Sequence, residues 1–187
     1  MSAQIKMVFT AMLLTGLVTA GCSQEPKSAN GHVVKIQLTS AAFADGQPIP
    51  VKYTGDALDI SPPLAWTNTP SGTKSFALIA DDPDAPAGTW THWVIYDLPP
   101  TATALSEDTL KTAQLRNGAK QGLNSSKKTG YSGPMPPPGK AHRYFFKLYA
   151  LDTMTGLASG TTKTDLLKAM DGHVLGEGRL IGTYQRQ

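Results

Sequence analysis

A single cysteine, Cys22, stands in a chain of 187 residues. It has no disulfide partner within the chain, so the fold rests on burial and hydrogen bonds rather than covalent staples. Basic runs are equally scarce, none exceeding the pair Lys127–Lys128. With a formal net charge of +3, the electrostatic footprint of a nucleic-acid binder is missing, and no nucleic-acid partner is expected. There is no Gly-x-Ser-x-Gly elbow and no phosphate-cradling P-loop, which removes the usual motif-borne nucleophile and nucleotide site. The histidines show neither His-x-His nor His-Glu-x-x-His spacing. Asp82, Asp84, His92 and His142 therefore carry no metal-ligand signature, and neither a metal nor a cofactor is expected. The uncharged apolar stretch Met7–Ala20 is 14 residues long, short of the roughly 20 that cross about 30 Å of hydrocarbon as a helix. At 40% hydrophobic and 17% charged, the chain has enough apolar content for a core and too little charge for a disordered segment. Its length fits one domain, and it contains no internal repeat.

What is present begins with a leader. Lys6, the apolar stretch and the small residues after it have the layout of a signal peptide. Cys22 follows directly in LVTAGC, which resembles the lipobox of bacterial lipoprotein signal peptides, with Thr19 where Leu or Val is usual. The competing cleavage falls after Ala20, on the small-x-small pattern Val18-Thr19-Ala20. Lipidation would remove an otherwise free reactive thiol, and acyl chains worth about 0.8 kcal/mol per buried methylene hold firmly when several act together. The expected organisation is a signal peptide at 1–21, a polar tether at 22–31 and a folded domain at 32–187. The expected location is the periplasmic face of a bacterial membrane. Ser23 stands where an inner-membrane retention Asp often sits, which favours the outer membrane.

Within the domain, strands are expected at Val33–Ser40, Val51–Gly55, Leu64–Thr67, Ser75–Asp82, His92–Pro99, Ala141–Asp152 and Gly178–Arg186, from alternation and β-branched or aromatic content. One helix is convincing: Thr162 as N-cap, Asp165 three residues on, Leu166, Leu167 and Met170 on one face, and Gly172 as the stop. The segment 101–130 is long, polar and irregular. Many short strands and few helices indicate an all-β sandwich.

Two stretches stand out chemically. In ADDPDAPAGTWTHW, Asp81, Asp82 and Asp84 leave a strand whose exit is stiffened by Pro83 and Pro86, and the chain returns through Trp90 and His92. The structural alternative is a capped turn with an aromatic anchor. In GYSGPMPPPGKAHRY, four prolines make a loop with little freedom to lose. Gly133 would offer an open NH, and His142 and Tyr144, two apart on a strand, leave the same face. Such a set suits an anionic headgroup such as phosphate, with nearby carboxylates suiting an attached ammonium. The alternative is a Pro-rich turn in which Tyr144 is merely packed. A third stretch, GHVLGEGRLIGTYQR, carries His173, for which a helix-stopping role is favoured.

The blocks DPDAP…WTHW, GPMPPPGKAHRY and GRLIGTYQR, in that order from Val33 to Arg186, resemble the phosphatidylethanolamine-binding protein family, specifically its bacterial Raf-kinase-inhibitor-like branch. The resemblance implies an all-β, antiparallel Greek-key β-sandwich with one or two peripheral helices and a small anion pocket at one end. It assigns the polar wall to Asp82, His92, His142 and Tyr144, and the rim to Asp84, Trp90, Gly133 and Pro134. Met135 stands where a Cys is common, which removes a thiol from the mouth, and Asn124-Ser125-Ser126 replaces an Asn-Asp-aromatic run.

These readings favour a non-enzymatic, lipid-anchored protein that binds phosphate, phosphorylethanolamine-like or phospholipid headgroups. The alternatives are an inhibitor acting on another protein through its surface and, further off, a hydrolase using His92 or His142 as general base. The hydrolase reading lacks a readable nucleophile beside either histidine.

Overall fold

The computed structural model describes residues 1, 25–26, 31 and 33–187. The expectations for the leader, for Cys22 and for most of the tether lie outside them. In chain order the strands are β1 (Val34–Lys35), β2 (Gln37–Thr39), β3 (Leu64–Thr67), β4 (Ser75–Asp82), β5 (Trp90–Leu98), β6 (Ala104–Leu105), β7 (Lys120–Gln121), β8 (His142–Leu151) and β9 (Val174–Tyr184). One helix, α1 (Lys163–Met170), precedes β9. Two open sheets result, one ordered β1-β9-β8-β4-β5-β7 and the other β2-β3-β6.

All eight residues of β4 are buried, because both faces of the large sheet are covered. That is why its sequence is a continuous apolar run rather than an alternation. On one face Phe76, Leu78, Trp93, Ile95, Phe146 and Leu148 share a core with Leu38, Leu64 and Trp66 of the smaller sheet. On the other, Ala77, Ile79, Val94, Tyr96 and Tyr149 pack with Leu166 and Met170 of α1. The alternation seen along Ala141–Asp152 therefore assigns Tyr144, Phe146, Leu148 and Ala150 to the first core, as expected.

Three expectations are corrected. The single strand read over Val33–Ser40 is two, because the chain changes sheets at Ile36: Val34 lies opposite Gly176 of β9, whereas Leu38 lies opposite Trp66 of β3. The β1–β9 pair is parallel, so the large sheet is mixed rather than wholly antiparallel. Val51–Tyr53, expected as a strand, is a 3-10 turn. Here the Thr54 NH and hydroxyl both donate to the Val51 carbonyl, at 3.0 and 2.8 Å, and these local bonds win over extension. The helix follows its signals: Thr162 accepts the Asp165 NH at 3.2 Å, and Gly172 takes a left-handed φ of 81° just past the cap.

The irregular segment 101–130 is organised around Gln121, whose side chain is fully buried. Its amide NH2 donates to the carbonyls of Leu110 and Thr112, both at 2.7 Å, and its oxygen accepts the Trp93 indole NH at 2.7 Å. Replacing it by a similar-sized apolar residue leaves the buried Trp93 indole NH unpaired and takes the bonds from two loop carbonyls. Gln121→Leu is therefore expected to lose roughly 1–3 kcal/mol in urea unfolding and to expose 106–120 to limited proteolysis. An unchanged midpoint and digestion pattern would show that the segment is held by something else.

Candidate functional site

Antiparallel pairing brings the functional stretches together. The C-terminal end of β4 lies against the N-terminal start of β8, with Asp81 opposite Phe145, and β5 begins at the same end, with Trp90 opposite Asp82. Strand alternation then separates the consecutive carboxylates. Asp82 faces the side of His142 and Tyr144, while Asp81 faces α1, where it bonds Thr91 and Lys163.

His92 reaches the Asp82 side through a bulge. Ala80 pairs with Trp93 and Asp81 with Thr91, so His92 is the extra residue in β5. A bulge re-aims the side chain it carries, and the His92 ring stands edge-on to Tyr144 with centroids 5.2 Å apart. Its Nδ1 donates to the Ser132 carbonyl at 2.6 Å, which leaves Nε2 as an acceptor on the neutral ring. Burial pushes the His92 pKa down, opposed by the Ser132 bond and by the Asp82 and Asp81 charges.

The rest of the wall is equally defined. His142 donates through Nδ1 to the Asp82 carboxylate at 2.8 Å, and its Nε2 makes no hydrogen bond among the described residues. The second Asp82 oxygen accepts the Asp84 NH at 2.8 Å, closing a turn over Pro83. The Tyr144 hydroxyl is buried beside the Asp82 carboxylate without making a well-formed hydrogen bond to it. Burial and the neighbouring Asp82 carboxylate push its pKa well up, so it stays a donor. Asp82, His92, His142 and Tyr144 are thus one cluster, with a donor at Tyr144, acceptors at Asp82 and His92, and a His142 Nε2 that accepts on the neutral ring and donates once the ring carries both protons.

The residues expected at the rim behave differently. Asp84 is held by Arg143, whose Nε and Nη2 donate at 2.8 and 2.7 Å and whose backbone NH donates at 3.0 Å. The guanidinium bonds hold its carboxyl down at about 2, and the pair fastens the β4 exit to the β8 start. Trp90 is 38% exposed at the edge. Gly133 corrects an expectation: its NH is not open but donates to the Asp59 carboxylate. It is glycine because a Cβ there would lie 2.5 Å from the Tyr53 carbonyl oxygen and 2.7 Å from Thr54 Cα. Pro134 is buried, and its carbonyl accepts the Gly55 NH at 2.9 Å. Gly133 and Pro134 therefore form a wall clamped to the 53–59 turn. His173 bonds Asp152 at 2.8 Å beside the end of α1, away from the cluster.

Four supporting residues were given no role at the site from the sequence. Ser132 fixes the His92 tautomer, Tyr131 donates to the Tyr53 carbonyl at 2.8 Å, and Asp59 binds both Gly133 and Lys111. Arg143 could have been flagged, since strand alternation turns it away from His142 and Tyr144, toward the acidic exit of β4. The bond from Asp59 to Gly133 spans 74 positions, and no local pattern announces it. Two cavities, of about 860 and 160 Å³, lie on the α1 side of the sheet rather than at this cluster.

Comparison with known proteins adds the family. The sequence profile described as phosphatidylethanolamine-binding protein matches residues 39–185. The chain belongs to the phosphatidylethanolamine-binding protein family. A UPF0098 protein of Methanothermobacter thermautotrophicus is 53% identical over 151 residues, covering 81% of this chain and 99% of the relative. One from Aquifex aeolicus is 46% identical over 161 residues, covering 85% and 92%. Among solved structures, a phosphatidylethanolamine-binding protein homologue of Chlamydia trachomatis superposes with a TM-score of 0.75 at 43% identity, covering 82% of this chain and 99% of the other. E. coli YbcL, described as a member of the mammalian PEBP family, gives 0.73 at 31% identity, covering 81% and 99%. The family span contains all eight expected site residues; Cys22 and Glu25 precede it.

The Asp84–Arg143 pair makes a prediction with a definite sign. A carboxyl held below its unfolded value of 3.8 contributes stability that is complete above that value and is lost as pH falls through about 2. Arg143→Ala should return the Asp84 titration to the ordinary carboxylate range in a carbon-detected NMR pH series and raise the midpoint of acid unfolding. An Asp84 titration that stays near 2 in the variant would assign the shift to another group.

Proposed function

We propose that this family member binds a small anionic headgroup, phosphate or phosphorylethanolamine-like, at the Asp82–His92–His142–Tyr144 cluster, and that a lipid on Cys22 holds it at the periplasmic face of a bacterial membrane. It acts by binding rather than by catalysis. The observation that carries the reading is the Tyr144 hydroxyl, buried at 2% exposure without a well-formed hydrogen bond and beside Asp82 and two histidines. Leaving such a donor unpaired costs roughly 1–3 kcal/mol, and a charged acceptor recovers it. A ligand oxygen accepting from Tyr144 satisfies that donor, and a protonated ligand oxygen donating to His142 Nε2, or an anionic one accepting from it once the ring carries both protons, adds the second contact. Asp82 orients His142 and presents negative charge to an ammonium on the same ligand. The clamped Gly133–Pro134 wall means that little loop entropy is lost on binding.

The test is a titration of the chain from Ser23 onward with inorganic phosphate and with phosphorylethanolamine, followed by NMR shifts. Tyr144→Phe and His142→Ala are each expected to weaken binding about tenfold or more, the loss of one charge-assisted hydrogen bond. Binding that survives both changes would remove the cluster from the site, and no binding at all would turn the search to a protein target of the inhibitor kind. For the anchor, Cys22→Ser in the whole chain should abolish palmitate incorporation and shift the protein from the membrane to the soluble fraction. Unchanged fractionation would refute lipidation as the attachment.

A further inference from the structure

The α1 face of the large sheet carries a second polar site that the headgroup reading does not use. Lys147 and Tyr149 sit two apart on β8 and leave it on this face, with Lys163 of α1 beside them, bonded to Asp81 at 2.6 Å. These side chains line the 160 Å³ cavity together with Ile79, Phe145 and Leu167. Into it reaches Glu25, 122 positions before Lys147 in the chain. Its carboxylate is bonded by the Lys147 ammonium and accepts the Tyr149 hydroxyl at 2.5 Å.

This is a built site rather than a chance surface pair. Tyr149 is only 1% exposed, and among the described residues its hydroxyl bonds to Glu25 alone. Without Glu25 a buried phenol would lose its acceptor. Burial opposes the Glu25 charge, but the bonds from Lys147 and Tyr149 outweigh it and hold the carboxyl below its usual range. Glu25 also stands only three residues after Cys22. Three extended residues reach about 10–11 Å, so a docked Glu25 leaves almost no slack between the domain and whatever holds Cys22. The adjoining groove is lined by Lys127, Lys163 and Lys168 together with Asp171, and Lys163 is paired with Asp81 and Lys168 with Asp165, so it is the short reach from Glu25 to Cys22 that turns this face toward the membrane.

We infer that Lys147 and Tyr149 form a carboxylate site filled by the chain's own Glu25, and that this docking seats the α1 face against the membrane. The second half rests on the anchoring of Cys22 proposed above. The anchor at Cys22 then lies within about 10–11 Å of the docked Glu25. The α1 groove faces the lipid, and the smaller sheet faces away from it.

Two readouts on the full chain decide the matter. With fluorotyrosine incorporated, the Tyr149 fluorine resonance should move in Glu25→Gln while that of Tyr96, buried under the same face, stays put as a folding control. An unmoved Tyr149 resonance overturns the docking. In anionic vesicles, a fluorophore at Lys168→Cys should be quenched several times more strongly by headgroup nitroxides than one at Thr67→Cys on the smaller sheet, and Glu25→Gln should shrink that difference. Equal quenching in the parent chain overturns the orientation. A full chain that stays in solution refutes the anchor and the orientation with it, whereas the fluorine comparison still decides the docked Glu25 by itself.

Discussion

Two carboxylates in succession at the end of a strand buried on both faces cannot share one environment. β4 ends in Asp81 and Asp82, both nearly buried, and strand alternation sends them to opposite sides of the sheet. A buried carboxylate needs a cation or several donors, so each side had to supply its own. Asp81 takes Thr91 and Lys163, and Asp82 takes His142 and the Asp84 NH. Much of the chemistry at this end of the molecule follows from that division. One face carries the histidine and tyrosine cluster, and the other carries the lysine and tyrosine cavity into which Glu25 reaches.

The bulge in β5 works within the same constraint. Regular alternation would have placed His92 and Trp93 on opposite faces, and one extra residue lets both serve the same one. Trp93 remains in the core, where its indole NH is satisfied by Gln121. His92 is freed to meet Tyr144 and to be fixed by Ser132. The polar cluster is thereby mounted on rigid strands, while the proline-rich loop is pinned to the 53–59 turn and acts as its wall.

Legibility in the sequence divided along the same physical lines. The long strands were legible because burial imposes a pattern on neighbouring residues: the apolar run of β4 and the alternation of β8 are visible without any partner. α1 was legible because its cap is local, Thr162 to Asp165. The sheet change at Ile36 was hidden, since a strand that switches partners looks like one continuous strand. Val51–Tyr53 was missed because a few hydrogen bonds at Thr54 outweighed a β-like composition. At the site, Asp82, His92, His142 and Tyr144 were named through a family resemblance that the profile match supports. The engaged NH of Gly133 could not be seen, because its partner Asp59 lies far away in sequence. Glu25 escaped notice for the same reason, lying in a stretch whose composition reads only as tether.

The crossing at Ile36 has a consequence for how the domain comes apart. β1 and β2 are joined by that single residue, yet one is paired in the large sheet and the other in the small. Ile36 is itself buried in the core the sheets share, and its NH is bonded to the Glu177 carbonyl at 2.8 Å. Neither sheet can peel away without dragging this stitch out of the other. Melting of the small sheet and of the large one is therefore a single event, and Trp66 in the first and Trp93 in the second report the same transition from opposite sides of the seam.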